Sequence, residues 1–274
     1  MNLKFILLLL FLPLGCYANE QLIIGIHPYK SPSVLVEKYQ PLAKYLSKKL
    51  SLPVDIKISK NYESHIKSIA NNEFDIAYMG PASYVKLTQQ FGKKPILARQ
   101  TIKGKAVFKG VIIVRENSSI KSLSAMKNKR FAFGDAASTM SHLVPRYMLI
   151  KSGVSIAKLK SHHFYGSHDN VALSVLAGDA DAGAVKEAVY YKYKNRGLRA
   201  LKFTPEISEH LFVATPKLKK TVMNEIKNIL LNMKPNNEVH KVIFNSIKPG
   251  VNGFTNAKDS DYDNLRLILK TIKL

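Results

Sequence analysis

Three stretches of the chain bring small, hydroxyl and imidazole residues to places where a helix should begin. They are residues 74–85 (FDIAYMGPASYV), 134–145 (GDAASTMSHLVP) and 166–185 (GSHDNVALSVLAGDADAGAV). A helix that opens on Ser or Thr presents unpaired backbone N–H groups, side-chain hydroxyls and the positive end of its dipole at one point, which is the chemistry of anion capture. Two such starts, one led by Ser138 and Thr139 and the other by Ser167 and His168, predict a pocket for a small tetrahedral oxyanion. Helix capping uses the same N–H groups, so the two roles are compatible.

Catalytic chemistry fits these residues poorly. Ser138 or Ser167 with His168 and Asp169 could supply the members of a hydrolytic triad. Neighbours in sequence seldom orient one another as a triad requires, and there is no G-x-S-x-G elbow. No P-loop, H-E-x-x-H or dinucleotide fingerprint is present, so no cofactor is expected. His162 and His163 are adjacent on an expected strand and point to opposite faces, which argues against a metal site. Asp135 reads as a turn residue, and Tyr190, Tyr191 and Tyr193 as helix packing.

The elements that must position these motifs alternate. Residues 22–27, 54–58, 74–77, 95–99 and 106–115 read as strands. Helices fall at 33–50, 62–70 and 81–90, the last with Pro81 in its first turn. In the helix at 33–50, Val34, Leu35, Leu42, Tyr45, Leu46 and Leu50 keep helical spacing. After Asn117-Ser118-Ser119 a second series begins: strands at 130–133, 160–164, 181–183, 198–203 and 211–214, and helices at 138–151, 168–177 and 186–195. The C-terminal third reads as mostly helical, clearest at 218–233 and 262–270. This pattern predicts an α/β fold of two lobes, each a mostly parallel sheet flanked by helices. The second lobe is inserted into the first: residues 19–106 and 206–274 form one lobe, 107–205 the other. The crossings fall near 104–110 and 203–210, and a cleft between the lobes would collect the strand ends.

The chain has 274 residues, 46% of them hydrophobic, with 42 Lys and Arg against 19 Asp and Glu, a formal net charge of +23. The basic residues are spread rather than blocked, which fits an anionic ligand, an anionic surface, or simply a solvated exterior. Nucleic acid is not expected, since no binding motif accompanies the charge. Lys4, the apolar run 5–14 and small Gly15 and Ala18 resemble a secretory signal peptide over residues 1–18, cleaved after Ala18. Leu14-Gly15-Cys16 resembles a lipobox, so Cys16 is a second candidate, for lipid attachment. It is the one cysteine of the chain, and no disulfide is expected after export.

From GIHPYKSP (residues 25–32) and YQPLAKYLSKKL (39–50), through DIAYMGPASYV and VRENSSIKSLSAMKNKRFAFGDAASTMSHLVP, to GSHDNVALSVLAGDADAGAV, the chain resembles the periplasmic solute-binding proteins of ABC transporters for phosphonate, phosphite and phosphate. That resemblance implies the type II periplasmic-binding fold, two lobes that close on a phosphorus oxyanion, and an inner-membrane permease as partner of a monomeric periplasmic protein. It implies Ser138 and Thr139 as hydroxyl donors and His168 as a donor to the oxyanion. Tyr78 is implied as an aromatic wall, with Tyr29 a second aromatic candidate, and Gly80 would let the backbone approach the ligand. Two positions depart from the family pattern. Met140 stands at the third hydroxyl position with Ser141 where Gly is usual, and Ala136 replaces Pro. Either the anion cradle shifts by one residue, which keeps Ser141 as a candidate, or the ligand differs from a simple phosphonate. Glu187 would face a cationic substituent, as in aminophosphonate binders. A periplasmic sensory module that reports the same ligand to a signalling partner is the alternative function.

Overall fold

The computed structural model describes residues 21–272. The signal-peptide and Cys16 expectations lie outside them. The first lobe opens with β1 (Leu22–Ile26), α1 (Pro32–Leu50), β2 (Val54–Ile58), α2 (Tyr62–Ala70), β3 (Ile76–Met79), α3 (Pro81–Phe91) and β4 (Ile96–Ile102). A short strand β5 (Val107–Phe108) leads out to β6 (Gly110–Arg115), β7 (Arg130–Phe133), α4 (Val144–Lys151), β8 (Ser161–Phe164), α5 (His168–Ala177), β9 (Ala182–Lys186), α6 (Glu187–Tyr193) and β10 (Leu198–Phe203). The chain returns through β11 (Ile207–Ser208) to β12 (Leu211–Ala214), α7 (Lys220–Leu231), α8 (Glu238–Ile247), β13 (Val251–Thr255) and α9 (Asp263–Thr271).

The strands form a six-stranded sheet, β13-β4-β12-β3-β1-β2, and a five-stranded sheet, β10-β6-β9-β7-β8. Two strands link them: β5 and β11 pair antiparallel, Ile207 opposite Phe108 and Ser208 opposite Val107, as a ribbon where both crossings occur. The expectation of mostly parallel sheets needs correction. β1 pairs parallel with β2 and β3, and β7 with β8 and β9, as β-α-β crossovers require. The strands that carry the chain between lobes run the other way: β12 is antiparallel to β3 and β4, and β6 to β9 and β10. Both sheets are therefore mixed. Near the C-terminus, between the helices expected at 218–233 and 262–270, the structure adds β13, which closes the edge of the first sheet against β4.

One core, with Leu35, Tyr39, Leu42 and Leu46 of α1 at its centre, packs α1, α7 and α8 on one face of the six-stranded sheet. A second, around Val111, Ile113, Val171 and Val175, fills the space under α5. The third runs from the other face of the first sheet (Ala77, Met79) into the second lobe (Ile112, Phe131, Met148), with Leu265, Ile268 and Leu269 of α9 packed into it. The C-terminal helix thus lies against both lobes. Gly25 is required by packing: a Cβ there would sit 2.2 Å from the Phe74 ring.

The helix expected over 138–151 is two structures. Residues Thr139–Leu143 form a π-helical turn, and α4 follows. Pro145 has no N–H to offer the carbonyl of Ser141, which accepts instead from Gly134 N at 3.1 Å, and the carbonyl of Ser138 takes both His142 N and Leu143 N. The widened turn is the physical result, and it sits at the proposed anion motif, as such turns often do.

Candidate functional site

The three helix starts meet in one cleft of about 250 Å³ between the sheets. From the first lobe come His27, Tyr29, Lys30, Lys38, Tyr62, Gly80, Ser83, His210 and Lys248. From the second come Asp135, Ser138, Thr139, Met140, Ser167, His168, Asp169 and Lys186, with Phe108 from the linking ribbon.

Two of the helix starts are capped by their own first hydroxyl, and the third is capped from the other lobe. Ser138 caps the π-turn by accepting from Ser141 N at 3.1 Å, and Ser167 caps α5 by accepting from Asn170 N at 3.1 Å. Pro81 opens α3 without an N–H, so Ala82 supplies that helix's first donor, which Thr139 Oγ1 accepts at 3.2 Å across the two lobes. Thr139 therefore touches the cleft and holds its two sides together.

His168 Nδ1 accepts the backbone N–H of Lys186 at 3.0 Å, which places the proton of the neutral ring on Nε2. Enclosure in the cleft, then the nearby Lys186 charge, holds His168 neutral by lowering its pKa well below the ordinary histidine value. It is thus a fixed N–H donor. His210 is the opposite case. Its Nδ1 and its backbone N–H both meet Glu209 Oε2, at 2.7 and 2.9 Å, and Glu209 is fully buried. Burial opposes the Glu209 charge, but His210, Lys248 and Lys186 outweigh it and bring its pKa down to about 2. Burial and then Lys186 keep His210 neutral, at about 4. The pair is a neutral imidazole donating to a carboxylate, and His210 Nε2 is left as an acceptor.

His27 is 3% exposed, and neither ring nitrogen has a hydrogen-bond partner. Its ring is enclosed by Tyr29, Tyr62, Tyr78 and His210 at centroid distances of 4.9 to 5.5 Å. Gly80 lies beneath, where a Cβ would come within 3.4 Å of His27 Cε1 and 3.6 Å of His210 Nε2. A buried polar ring with no partner, on the wall of a cleft, makes His27 a candidate ligand-binding residue.

The charge on the cleft wall is positive. Lys186 stands at the mouth of β9 with its ammonium 5.7 Å from the Phe108 ring; burial, then Lys248, lowers its pKa to about 8 despite Glu209. Both wall carboxylates are engaged: Asp135 accepts from Ala137 N at 2.7 Å, and Asp169 from Lys192 Nζ at 2.5 Å and Tyr193 Oη at 2.9 Å.

Three residues singled out from the sequence lie outside this wall. Tyr78 is one layer back, its ring stacked on His210 at 5.5 Å and its hydroxyl donating to Gln100 Oε1 at 2.9 Å. Ser141 is fully buried and donates to the Ala184 carbonyl, tying the π-turn to β9. Glu187 lines a neighbouring cavity with Lys103, Lys105 and Lys109. Tyr29, Gly80, Ser138, Thr139 and His168 do line the cleft. Sequence reasoning missed His27, Lys186 and His210. His27 had a usable signal, the last polar residue of an apolar strand before Pro28. His210 had none: it is brought to the cleft because β12 runs antiparallel to β3, so its beginning lies beside the end of β3, Leu211 opposite Met79. Lys186 was assigned to a helix, whereas pairing with Gly110 extends β9 through it to the cleft edge.

The buried histidines also set an acid limit. His27, His65 and His210 all have pKa values lowered in the fold, chiefly by burial, His65 and His210 to about 4. Below about pH 6.5 the unfolded chain takes up protons that the folded chain refuses, so stability is lost as pH falls, at about 1.4 kcal/mol per pH unit for each such histidine. The melting temperature of the ligand-free protein is expected to drop steadily from pH 7 to pH 4.5; a flat profile would show these rings to be solvated.

A two-lobed α/β frame with a lysine-rimmed cleft, lined by hydroxyls and imidazoles at the sheet ends, is the architecture of a periplasmic-type binding protein. Residues 24–262 match the family described as ABC transporter, phosphonate, periplasmic substrate-binding protein, and the chain belongs to that family. Among its relatives is the probable ABC transporter phosphite binding protein PhnD1 of Prochlorococcus marinus (strain MIT 9301), 29% identical over 271 residues, which cover 92% of this chain and 90% of the relative. The phosphate-import protein PhnD of Mycolicibacterium smegmatis is 26% identical, covering 77% of this chain and 71% of its own. The structure of P. marinus PhnD1 in complex with methylphosphonate superposes with a TM-score of 0.82 at 27% identity, over 93% of this chain and 99% of that one. These relatives are substrate-binding proteins of ABC transporters, not enzymes. No helix among the described residues is long and apolar enough to cross a membrane.

Proposed function

We propose that this protein captures a small phosphorus oxyanion, a phosphonate, phosphite or phosphate, in the cleft and delivers it as a monomer to an inner-membrane ABC permease. The observation that carries this reading is the convergence of two hydroxyl-capped helix starts, a fixed His168 N–H and the unpartnered His27 ring on one lysine-rimmed cleft. The oxyanion would accept charge-assisted hydrogen bonds from these groups in a partly dehydrated site. Residues 107–205 would swing as one lobe against 19–106 and 206–274 about the β5–β11 ribbon, and opening would break the bond that Ala82 N–H donates to Thr139 Oγ1. Export would use residues 1–18, and intact-mass measurement on secreted protein would separate cleavage after Ala18 from lipidation at Cys16.

Calorimetry against methylphosphonate, phosphite, phosphate and sulfate tests the class. Ser138→Ala with Thr139→Ala is expected to lower affinity for the best phosphorus ligand roughly tenfold or more, since each charge-assisted bond contributes about 1.5–3 kcal/mol. Full affinity in a folded double variant would remove these hydroxyls from the site.

A further inference from the structure

A second cavity of about 240 Å³ abuts the cleft and shares Phe108, Lys186, Ala188 and Lys248 with it. Its remaining wall adds Lys103, Lys105 and Lys109. Lys103 and Lys105 are exposed at the turn that precedes the ribbon, and Lys109 pairs with Glu206 at 3.3 Å. The acids on this wall are Glu187 and the buried Glu209, and Glu209 already serves His210. The charge around the two cavities therefore remains positive. An ammonium group on a ligand would meet Lys30, Lys38, Lys186 and Lys248, which outnumber the cleft's two carboxylates: Asp169, paired with Lys192, and Asp135, which accepts one backbone N–H.

We propose that the ligand of the cleft is a phosphonate whose substituent ends in a second anionic group, such as a carboxylate, and that the lysine cavity behind Phe108 receives that group. This rests on the phosphorus-oxyanion reading and narrows it: the net positive charge of the two cavities disfavours aminoalkylphosphonates, and simple alkylphosphonates leave the second cavity unused. Two anionic ends bound at once gain from lysines that a single oxyanion cannot reach.

Calorimetry with methylphosphonate, 3-phosphonopropionate, phosphonoacetate and 2-aminoethylphosphonate tests this on the wild type and on Lys103→Ala with Lys105→Ala. One phosphonocarboxylate is expected to bind roughly tenfold tighter than methylphosphonate, and 2-aminoethylphosphonate roughly tenfold weaker, with the gap narrowing in salt. The double variant should bring the phosphonocarboxylate to the methylphosphonate level and leave methylphosphonate itself unchanged. Equal affinity for methylphosphonate and both phosphonocarboxylates, or a preference that survives in the double variant, overturns the second anionic group and leaves the phosphorus-oxyanion reading standing. Failure of every phosphonate to bind overturns both.

Discussion

Replacing His27 with Leu is expected to weaken binding of the phosphorus ligand roughly tenfold or more, equivalent to about 1.4 kcal/mol, while leaving the ligand-free protein as stable as before or more so. The two effects have opposite signs for one reason. In the ligand-free fold both ring nitrogens of His27 are buried without partners, and an unmade buried hydrogen bond costs about 1–3 kcal/mol. A Leu side chain of similar volume removes that cost. It also removes the donor that a ligand oxygen would use, so what is gained in the empty protein is lost in the complex. Thermal unfolding without ligand and calorimetry with it check both halves. A variant that binds with full affinity would make His27 a packing residue, and one that melts much earlier would show that its enclosure by Tyr29, Tyr62 and Tyr78 contributes more than its nitrogens cost.

Glu209→Ala has the largest expected effect on stability. The carboxylate is fully buried and accepts from His210 twice. It is also the acid that offsets Lys186. Removing it leaves the ring N–H and the backbone N–H of His210 buried without an acceptor, at a cost of about 1–3 kcal/mol each. For a chain of this size that corresponds to a fall of about 10 °C in melting temperature. Glu209→Gln, which keeps an acceptor for His210 N–H but not the charge, should lose less. If the Ala variant melts with the wild type, the His210 contact has no energetic weight and the acceptor role of His210 Nε2 loses its support. Because the Glu209 carboxylate fixes the His210 tautomer, both variants should also change which protonation state of the ligand is preferred, read as a shift in the pH dependence of affinity.

Much of this was legible in the chain because the signals are local. The helix starts at Ser138 and Ser167 depend on hydroxyl residues followed by apolar periodicity, and strands such as 54–58, 130–133 and 198–203 coincide with observed β2, β7 and β10. The family, by contrast, is carried by the order and spacing of several segments from residue 25 to residue 185, and residues 24–262 match its model. The errors share a cause as well. The strand β13 has no counterpart in the mostly helical reading of the C-terminal third, β9 runs on through Lys186, and both sheets are mixed rather than mostly parallel, since strand extent and direction are set by partners distant in sequence.

The sequence by itself determined the local groups of the proposed anion site: hydroxyl caps, an imidazole and small residues at strand ends, each specified within a few neighbouring positions. Only the tertiary structure decided what stands opposite them. His210 and Lys186 reach the cleft through antiparallel strands, Tyr78 and Ser141 withdraw behind it, and Glu187 turns into the lysine cavity. A side chain's type is local, but its neighbours across a sheet are fixed by register and strand direction, and these emerge only when both lobes have folded.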